Sequence, residues 1–229
     1  DLTGNTNAIS AAASGTLGYI GRTNNDFVVI DASSSTNPQV LGTLNLTGDP
    51  EGIAVTGTYA YVASDANAAE LMVIDISSST NPTLGNTYNL AGNGDGRRVA
   101  IKGNRLYLVR NNQGSNPVFY IFDISTPATP VELGNANLGA GEYDVALSAT
   151  GTEFAFIASE SNSQEFQAVN VTNPGSLGVG GSVNLSGNAN ARAMAVSGTI
   201  AYIGTNNRGG ADEFHVVNVS TPTSPTSIN

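Results

Sequence analysis

The sequence predicts an all-β chain of five similar units, each made of four antiparallel strands, and three markers that repeat in phase carry that prediction. The first is a pair ending in Leu: Asp1-Leu2, Asn45-Leu46, Asn89-Leu90, Asn137-Leu138 and Asn184-Leu185, each followed within a few residues by Gly. Apolar runs closed by Asp31, Asp75, Asp123, Asn170 and Asn218 form the second marker. The third is an aromatic column, Tyr19, Tyr61, Tyr107, Phe156 and Tyr202. Together they cut the chain into units of about 1–44, 45–88, 89–136, 137–183 and 184–229, the size of propeller blades.

Within a unit, short apolar runs of period two separated by Gly, Pro and Asn signal strands and not helices. The second unit shows the order most clearly. Ile53-Ala54-Val55 reads as an inner strand, Thr56-Gly57-Thr58 as a tight turn, Tyr59 to Ala63 as the next strand and Leu71 to Ile76 as the third. After the turn Ser77 to Pro82, Thr83 to Leu90 reads as a weak outer strand. Four such strands repeated five times are the sequence form of a β-propeller, a single domain over 1–229.

Residue sizes agree. The middle of every first strand is Ala: Ala12, Ala54, Ala100, Ala146 and Ala195. Small residues suit strands crowded about an axis, while larger neighbours such as Ile53 and Val55, or Met194 and Val196, are expected to pack between blades. The aromatic column is expected to do the same. The last unit stops partway through its outer strand at Pro225 to Asn229, and Asp1 to Gly4 matches the end of that strand in other units. The two termini are therefore expected to share one outer strand and close a five-bladed ring, with a cut piece of a longer array as the rival.

Leu71-Met72-Val73-Ile74-Asp75-Ile76-Ser77, Phe119-Tyr120-Ile121-Phe122-Asp123-Ile124-Ser125 and Phe27-Val28-Val29-Ile30-Asp31, with the preceding patterns at Val55 to Val62 and Val196 to Ile203, resemble the LVIVD repeat family over the whole chain. The resemblance implies a propeller of the kind secreted or attached to bacterial and archaeal surfaces, mostly without assigned activity. Units four and five depart from it by placing Asn170 and Asn218 where Asp is usual. A neutral amide cannot replace a catalytic or metal-binding carboxylate, but it can replace an acceptor oxygen in a turn. A turn role is the expectation for all five positions.

Composition narrows the function. Eighteen acids against eight bases give a net charge of −10, which repels a phosphate backbone, so nucleic acid is not an expected partner. Zero cysteines and one histidine exclude thiolate metal sites and His clusters. No apolar run is long enough to span a membrane. The chain begins at Asp1 without Met or a leader and is read as a mature or excised piece. Few Lys and abundant Asn, Ser and Thr fit an extracellular or cell-surface protein.

Variable loops fall at Gly21 to Asp26, Ser64 to Glu70, Arg110 to Pro117, Ser159 to Gln164 and Thr205 to Asp212, on the face where binding usually resides. On that face, just before the inner strands, sit Asp49, Glu51, Asp95, Arg97, Arg98, Glu142, Tyr143, Asp144 and Arg192, while the first unit offers Asn5, Asn7 and Ser10. Aligned by repeat, Glu51, Arg97, Tyr143 and Arg192 share one position, and Arg98 and Asp144 another. A salt-bridge ring over the channel mouth is one reading of them, and a binding site for a polar or glycan ligand is the other. The opposite face, made of short turns, is read as structural.

The expected function is a non-catalytic binding or assembly module, with a protein or glycan on the cell surface as partner, or self-assembly within a larger parent. The alternatives are a glycosidase-like enzyme recruiting Asp49, Asp95 and Glu142, which needs paired carboxylates at a set separation, and a structural subunit of a surface filament or layer. His215 lies where other units have Val28, Met72, Tyr120 and Gln167, a position read as half exposed. No cofactor is expected. Ca2+ is a weaker option at loops carrying Asp26, Asp65 or Asp212, which lack the EF-hand spacing.

Overall fold

A computed structural model describes residues 6–111, 114–148, 154–206, 210 and 212–228. Strands β1 (Ala8–Ser14), β2 (Leu17–Arg22), β3 (Asp26–Asp31) and β4 (Gln39–Asn45) form the first sheet in chain order. The second sheet runs β5 (Pro50–Thr56), β6 (Tyr59–Ser64), β7 (Leu71–Asp75), β8 (Thr83–Tyr88). The third comprises β9 (Gly96–Lys102), β10 (Arg105–Arg110), β11 (Phe119–Asp123) and β12 (Val131–Ala136). The fourth is β13 (Glu142–Leu147), β14 (Phe154–Ser159), β15 (Phe166–Asn170) and β16 (Gly178–Val183). The fifth is β17 (Ala191–Ser197), β18 (Ile200–Thr205), β19 (Phe214–Asn218) and the short β20 (Thr226–Ser227). Five four-stranded antiparallel sheets in up-and-down order, with no α-helix among the described residues, are the blades the repeat predicts. The expected sharing of an outer strand by the termini falls on Asp1 to Gly4 and Asn229, outside the described residues.

In four of the blades the hairpin between first and second strands turns on a glycine at positive φ, Gly15, Gly57, Gly103 or Gly198, at 56° in Gly57 and 58° in Gly103, a conformation that a Cβ strains. The Asp or Asn closing each third strand then starts the next turn. Asp31 accepts the backbone N–H of Ser33, Asp75 that of Ser77 and Asp123 that of Ser125, each at 2.8 Å. Asn170 accepts from Thr172 at 3.0 Å and Asn218 from Ser220 at 2.9 Å. The amide oxygen makes the carboxylate's bond, so these positions are turn formers, as their chemistry suggests.

The chain folds into two compact units, Asp1–Leu106 with Asp123–Val131, and Tyr107–Phe122 with Glu132–Asn229. In the first unit, Tyr19, Phe27, Val29 and Leu46 pack with Ile53, Ala60, Val62, Met72 and Ile74 of the next blade, and Val55 closes over them. In the second, Phe154, Phe156, Phe166 and Leu185 pack with Ala191, Ala201, Ile203 and Val217, joined by Met194 and Val196. The core thus lies between blades, where each fully buried large side chain contributes about 1.5–3 kcal/mol. The Leu of the chain's first marker is a core residue, with Leu46, Leu90, Leu138 and Leu185 all buried.

The aromatic column is buried at Tyr19, Tyr61, Tyr107 and Phe156 but not at Tyr202, which is 40% exposed. A second correction concerns His215. Its position is not half exposed: Val28, Met72, Tyr120, Gln167 and His215 are all buried. The third strand lies inside its sheet, and the face that carries these five residues is covered in every blade. His215 Nε2 lies 3.0 Å from the Asp212 carbonyl and 3.4 Å from Thr205 Oγ1.

Candidate functional site

The first strands carry a recurring irregularity that the sequence did not reveal. Pairing between first and second strands shifts register between Ala8 and Ser10, Pro50 and Gly52, Glu142 and Asp144, and Ala191 and Ala193. The residue left over is Ile9, Glu51, Tyr143 or Arg192. A bulge re-aims the side chain it leaves unpaired in the ladder. The position that aligns across repeats is therefore the one that the backbone sets apart.

In the first unit the bulge brings three charges together. Arg97 Nη1 lies 3.5 Å from Glu51 Oε2, and Arg97 Nη2 lies 3.2 Å from Asp95 Oδ2, with all three side chains about one quarter exposed. Burial raises the Glu51 carboxyl above its usual range, and Arg97 opposes that shift. Arg98 turns to the backbone, donating through Nη1 to the carbonyls of Glu51 and Arg97. It also lines a small cleft of about 190 Å³ with Ile9, Ser10, Ala11, Gly52 and Ile53. Strands β5 and β9 approach closely there: a Cβ on Gly52 would stand 2.8 Å from the Arg97 carbonyl oxygen.

Asp49 is part of the scaffold. Its Oδ1 accepts the Asn25 N–H at 2.8 Å, and its own N–H donates to Asp65 Oδ1 at 2.7 Å. Of the loop carboxylates considered for Ca2+, Asp65 accepts that bond and Asp26 forms an ion pair with Arg22 at 2.8 Å. Among the described residues no group of three or more His, Asp or Glu side chains is close enough to hold a metal ion.

The second unit has its own cluster. The Arg192 guanidinium lies over the Tyr143 ring, 3.8 Å from its centroid, and Nη1 lies 3.8 Å from Glu160 Oε1. Glu160 was not foreseen; its only sequence signal is its place at the start of the Ser-rich loop after β14. Asp144 belongs to the backbone, accepting the Met194 N–H at 2.8 Å and its neighbour Val145's at 2.9 Å, which straps β13 to β17. Glu142 is fully buried. Burial pushes its carboxyl well above the usual range; Ser159 partly offsets this and Glu160 adds to it.

Nine predicted residues thus separate by role. Glu51, Asp95, Arg97 and Arg98 cluster in one unit, Tyr143 and Arg192 meet in the other, Asp49 and Asp144 hold backbone, and Glu142 is core. Asn5 lies outside the described residues, as do parts of the loops at Arg110 to Pro117 and Thr205 to Asp212. The turn face, read as structural, also carries a cleft of about 330 Å³ that includes Tyr59, Asn104 and Ser125. No helix of the described residues is long and apolar enough to cross a membrane.

Five repeated four-stranded blades, four of them with a bulge at the head of the first strand, define a β-propeller repeat protein. The LVIVD repeat matches residues 4–45, 47–90, 93–137 and 187–229, and the chain belongs to that family. No curated protein matches it. Among solved structures it is similar to the β-propeller domain of Cps50 (Swd1) from Myceliophteria thermophila, at 11% identity and TM-score 0.73, covering 97% of this chain and 71% of that one. It is also similar to a candidate 6-phosphogluconolactonase from Bacteroides uniformis, at 14% identity and TM-score 0.78, covering 97% and 71%. A chain of a nidogen/laminin complex matches at 13% identity and TM-score 0.67, covering 97% and 78%. In two further matches, the chain spans only 60% and 62% of the solved chain's length. At such identities the likeness shows the fold alone.

Proposed function

We propose that the protein is a non-catalytic binding module of the extracellular space or cell surface, engaging a protein or a glycan through the bulged heads of its first strands. The observation that supports this most is the presentation of Arg192. Its guanidinium lies over the Tyr143 ring and beside Glu160 while 38% of the side chain stays exposed. A planar cation over an aromatic ring is pre-organised to meet a carboxylate or a sugar hydroxyl. In the other unit Arg97, one quarter exposed between Glu51 and Asp95, is a second guanidinium, held by carboxylates and not by a ring.

Catalysis by Asp49, Asp95 and Glu142 draws no comparable support, because Asp49 holds loop backbone, Asp95 is paired with Arg97, and Glu142 is buried. The test is an oligosaccharide array and a panel of secreted proteins probed with the intact chain, then with Arg97→Ala, Arg192→Ala and, as control, Asp31→Asn. The expected result is a partner whose binding weakens at least tenfold in an arginine variant and not in the control. Equal binding by all four proteins overturns the assignment.

A further inference from the structure

The ends of β5 and β9 away from the bulged heads carry a cleft with a composition of its own. It lies wholly within the first compact unit, between the β5–β6 turn, the β9–β10 turn and the turn after β11. Its volume of about 330 Å³ is at the small end of ligand pockets, roughly 300–1,000 Å³, and takes one ring-sized molecule. Tyr59, Ile124 and Pro127 give it apolar surface, and Thr58 and Asn104 add a hydroxyl and a carboxamide. None of the residues lining it is charged.

The walls are fixed before anything binds. Gly57 and Gly103 set the two hairpins, and the Ile124 N–H donates to the Asn104 carbonyl at 2.8 Å. The turn after β11 is tied to the second blade by Tyr61, Tyr88 and Asn86, whose side chains donate to the carbonyls of Pro127, Pro130 and Ala128. A site built in this way loses little freedom when it is filled. Tyr59 is half-buried and shares a sheet face with Tyr61, two residues further along β6. Unlike Tyr61 and Tyr88, it makes no side-chain hydrogen bond among the described residues, so its hydroxyl is open to a ligand.

The repeat does not impose this chemistry. Where β6 begins with Tyr59, the other second strands begin with Leu17, Arg105, Phe154 and Ile200. Thr16, Thr58 and Thr199 stand where the third blade has Asn104. Leu, Phe or Ile serves the packing elsewhere, and Tyr59 adds a hydroxyl that packing does not use.

We propose that this cleft binds a neutral sugar ring, a hexose or an N-acetylhexosamine, independently of the strand heads at the opposite end. The negative face of an aromatic ring attracts the polarised C–H groups of a pyranose. Thr58, Asn104 and the Tyr59 hydroxyl both donate and accept, as sugar hydroxyls require. The uncharged lining and the net charge of −10 disfavour acidic and phosphorylated ligands.

Two-dimensional amide NMR spectra of the intact chain, titrated with glucose, galactose, mannose, N-acetylglucosamine and N-acetylgalactosamine, test it. At least one sugar is expected to shift the amides of 57–59, 103–104 and 124–125 saturably. Tyr59→Ala and, separately, Asn104→Ala should each weaken that binding at least fivefold; Asn104 is exposed, so its variant keeps the fold. Arg192→Ala should bind the same sugar as the wild type does, which separates this cleft from the strand heads. Shifts confined to the strand heads, binding untouched by both cleft variants, or no saturable shift with any of the five sugars overturns the proposal. A proline-rich peptide that shifts these amides when no sugar does overturns it as well.

Discussion

The buried carboxylate of Glu70 accepts the backbone N–H of Leu90 through Oε2 at 2.9 Å. Two blades later Glu165 does the same for Leu185, also at 2.9 Å. A carboxylate ahead of the third strand thus fixes the start of the Leu marker, where the chain leaves the outer strand and the Leu side chain enters the core. Glu70→Ala should cost about 2 kcal/mol, because it removes a charged hydrogen bond and orphans a buried N–H. Urea denaturation measures it; an unchanged midpoint would mean that water replaces the carboxylate without loss.

The turn residues yield a contrasting expectation. Backbone and hydroxyl donation from Ser33, Ser77 and Ser125 holds Asp31, Asp75 and Asp123 below the usual carboxylate range. Lowered folded values contribute stability above the unfolded aspartate range, and that contribution is lost as pH falls through the lowered values. Replacing all three by Asn should leave the thermal midpoint at neutral pH nearly unchanged, because Asn170 and Asn218 already make the bond. The variant's midpoint should then fall less than the wild type's below about pH 4.

Glu142 has the opposite sign. A carboxyl whose folded value is raised favours the fold while both states are protonated, and this advantage shrinks as pH climbs from the unfolded value of about 4.3 through the raised one. Glu142→Gln should therefore match the wild type near pH 4 and be more stable at neutral pH. Chemical denaturation at the two pH values decides, and a variant less stable at neutral pH would show that the charged form is held by a partner.

Tyr61 ties the second blade to the turn after β11. Its hydroxyl donates to the Pro127 carbonyl at 2.9 Å, and burial raises it to about 12. Tyr88 donates to the Pro130 carbonyl at 2.7 Å, and Asn86 to the Ala128 carbonyl at 3.0 Å. Tyr61→Phe keeps the packing and loses one hydrogen bond, so a loss of about 1 kcal/mol is expected. Denaturation of the single variant and of the double variant with Tyr88→Phe would show whether the two bonds act independently.

The blades were legible because a sheet buried on both faces writes its period into the chain. Leu46, Leu90, Leu138 and Leu185 recur, as do the Asp and Asn turns, because each repeat solves the same packing problem with local residues. What depends on the neighbouring strand was not legible. The bulges at Glu51, Tyr143 and Arg192 arise from pairing register, which no single strand declares. His215 looked half exposed because Gln167 and Tyr120 share its position, yet all three are buried, His215 beside the Asp212 carbonyl and Thr205 Oγ1. Glu160 and the buried roles of Glu70 and Glu165 were hidden for the same reason: a carboxylate's partner lies some twenty or more residues away in sequence.

The central claim is that the guanidinium at a bulged strand head is presented for a partner and not kept for the fold. Arg192→Ala tests it when partner affinity and urea midpoint are measured on the same preparation. A half-exposed ion pair adds roughly 0–1 kcal/mol to stability, so the account predicts at least a tenfold loss of affinity with the midpoint nearly unmoved. Affinity retained while the midpoint falls would contradict it.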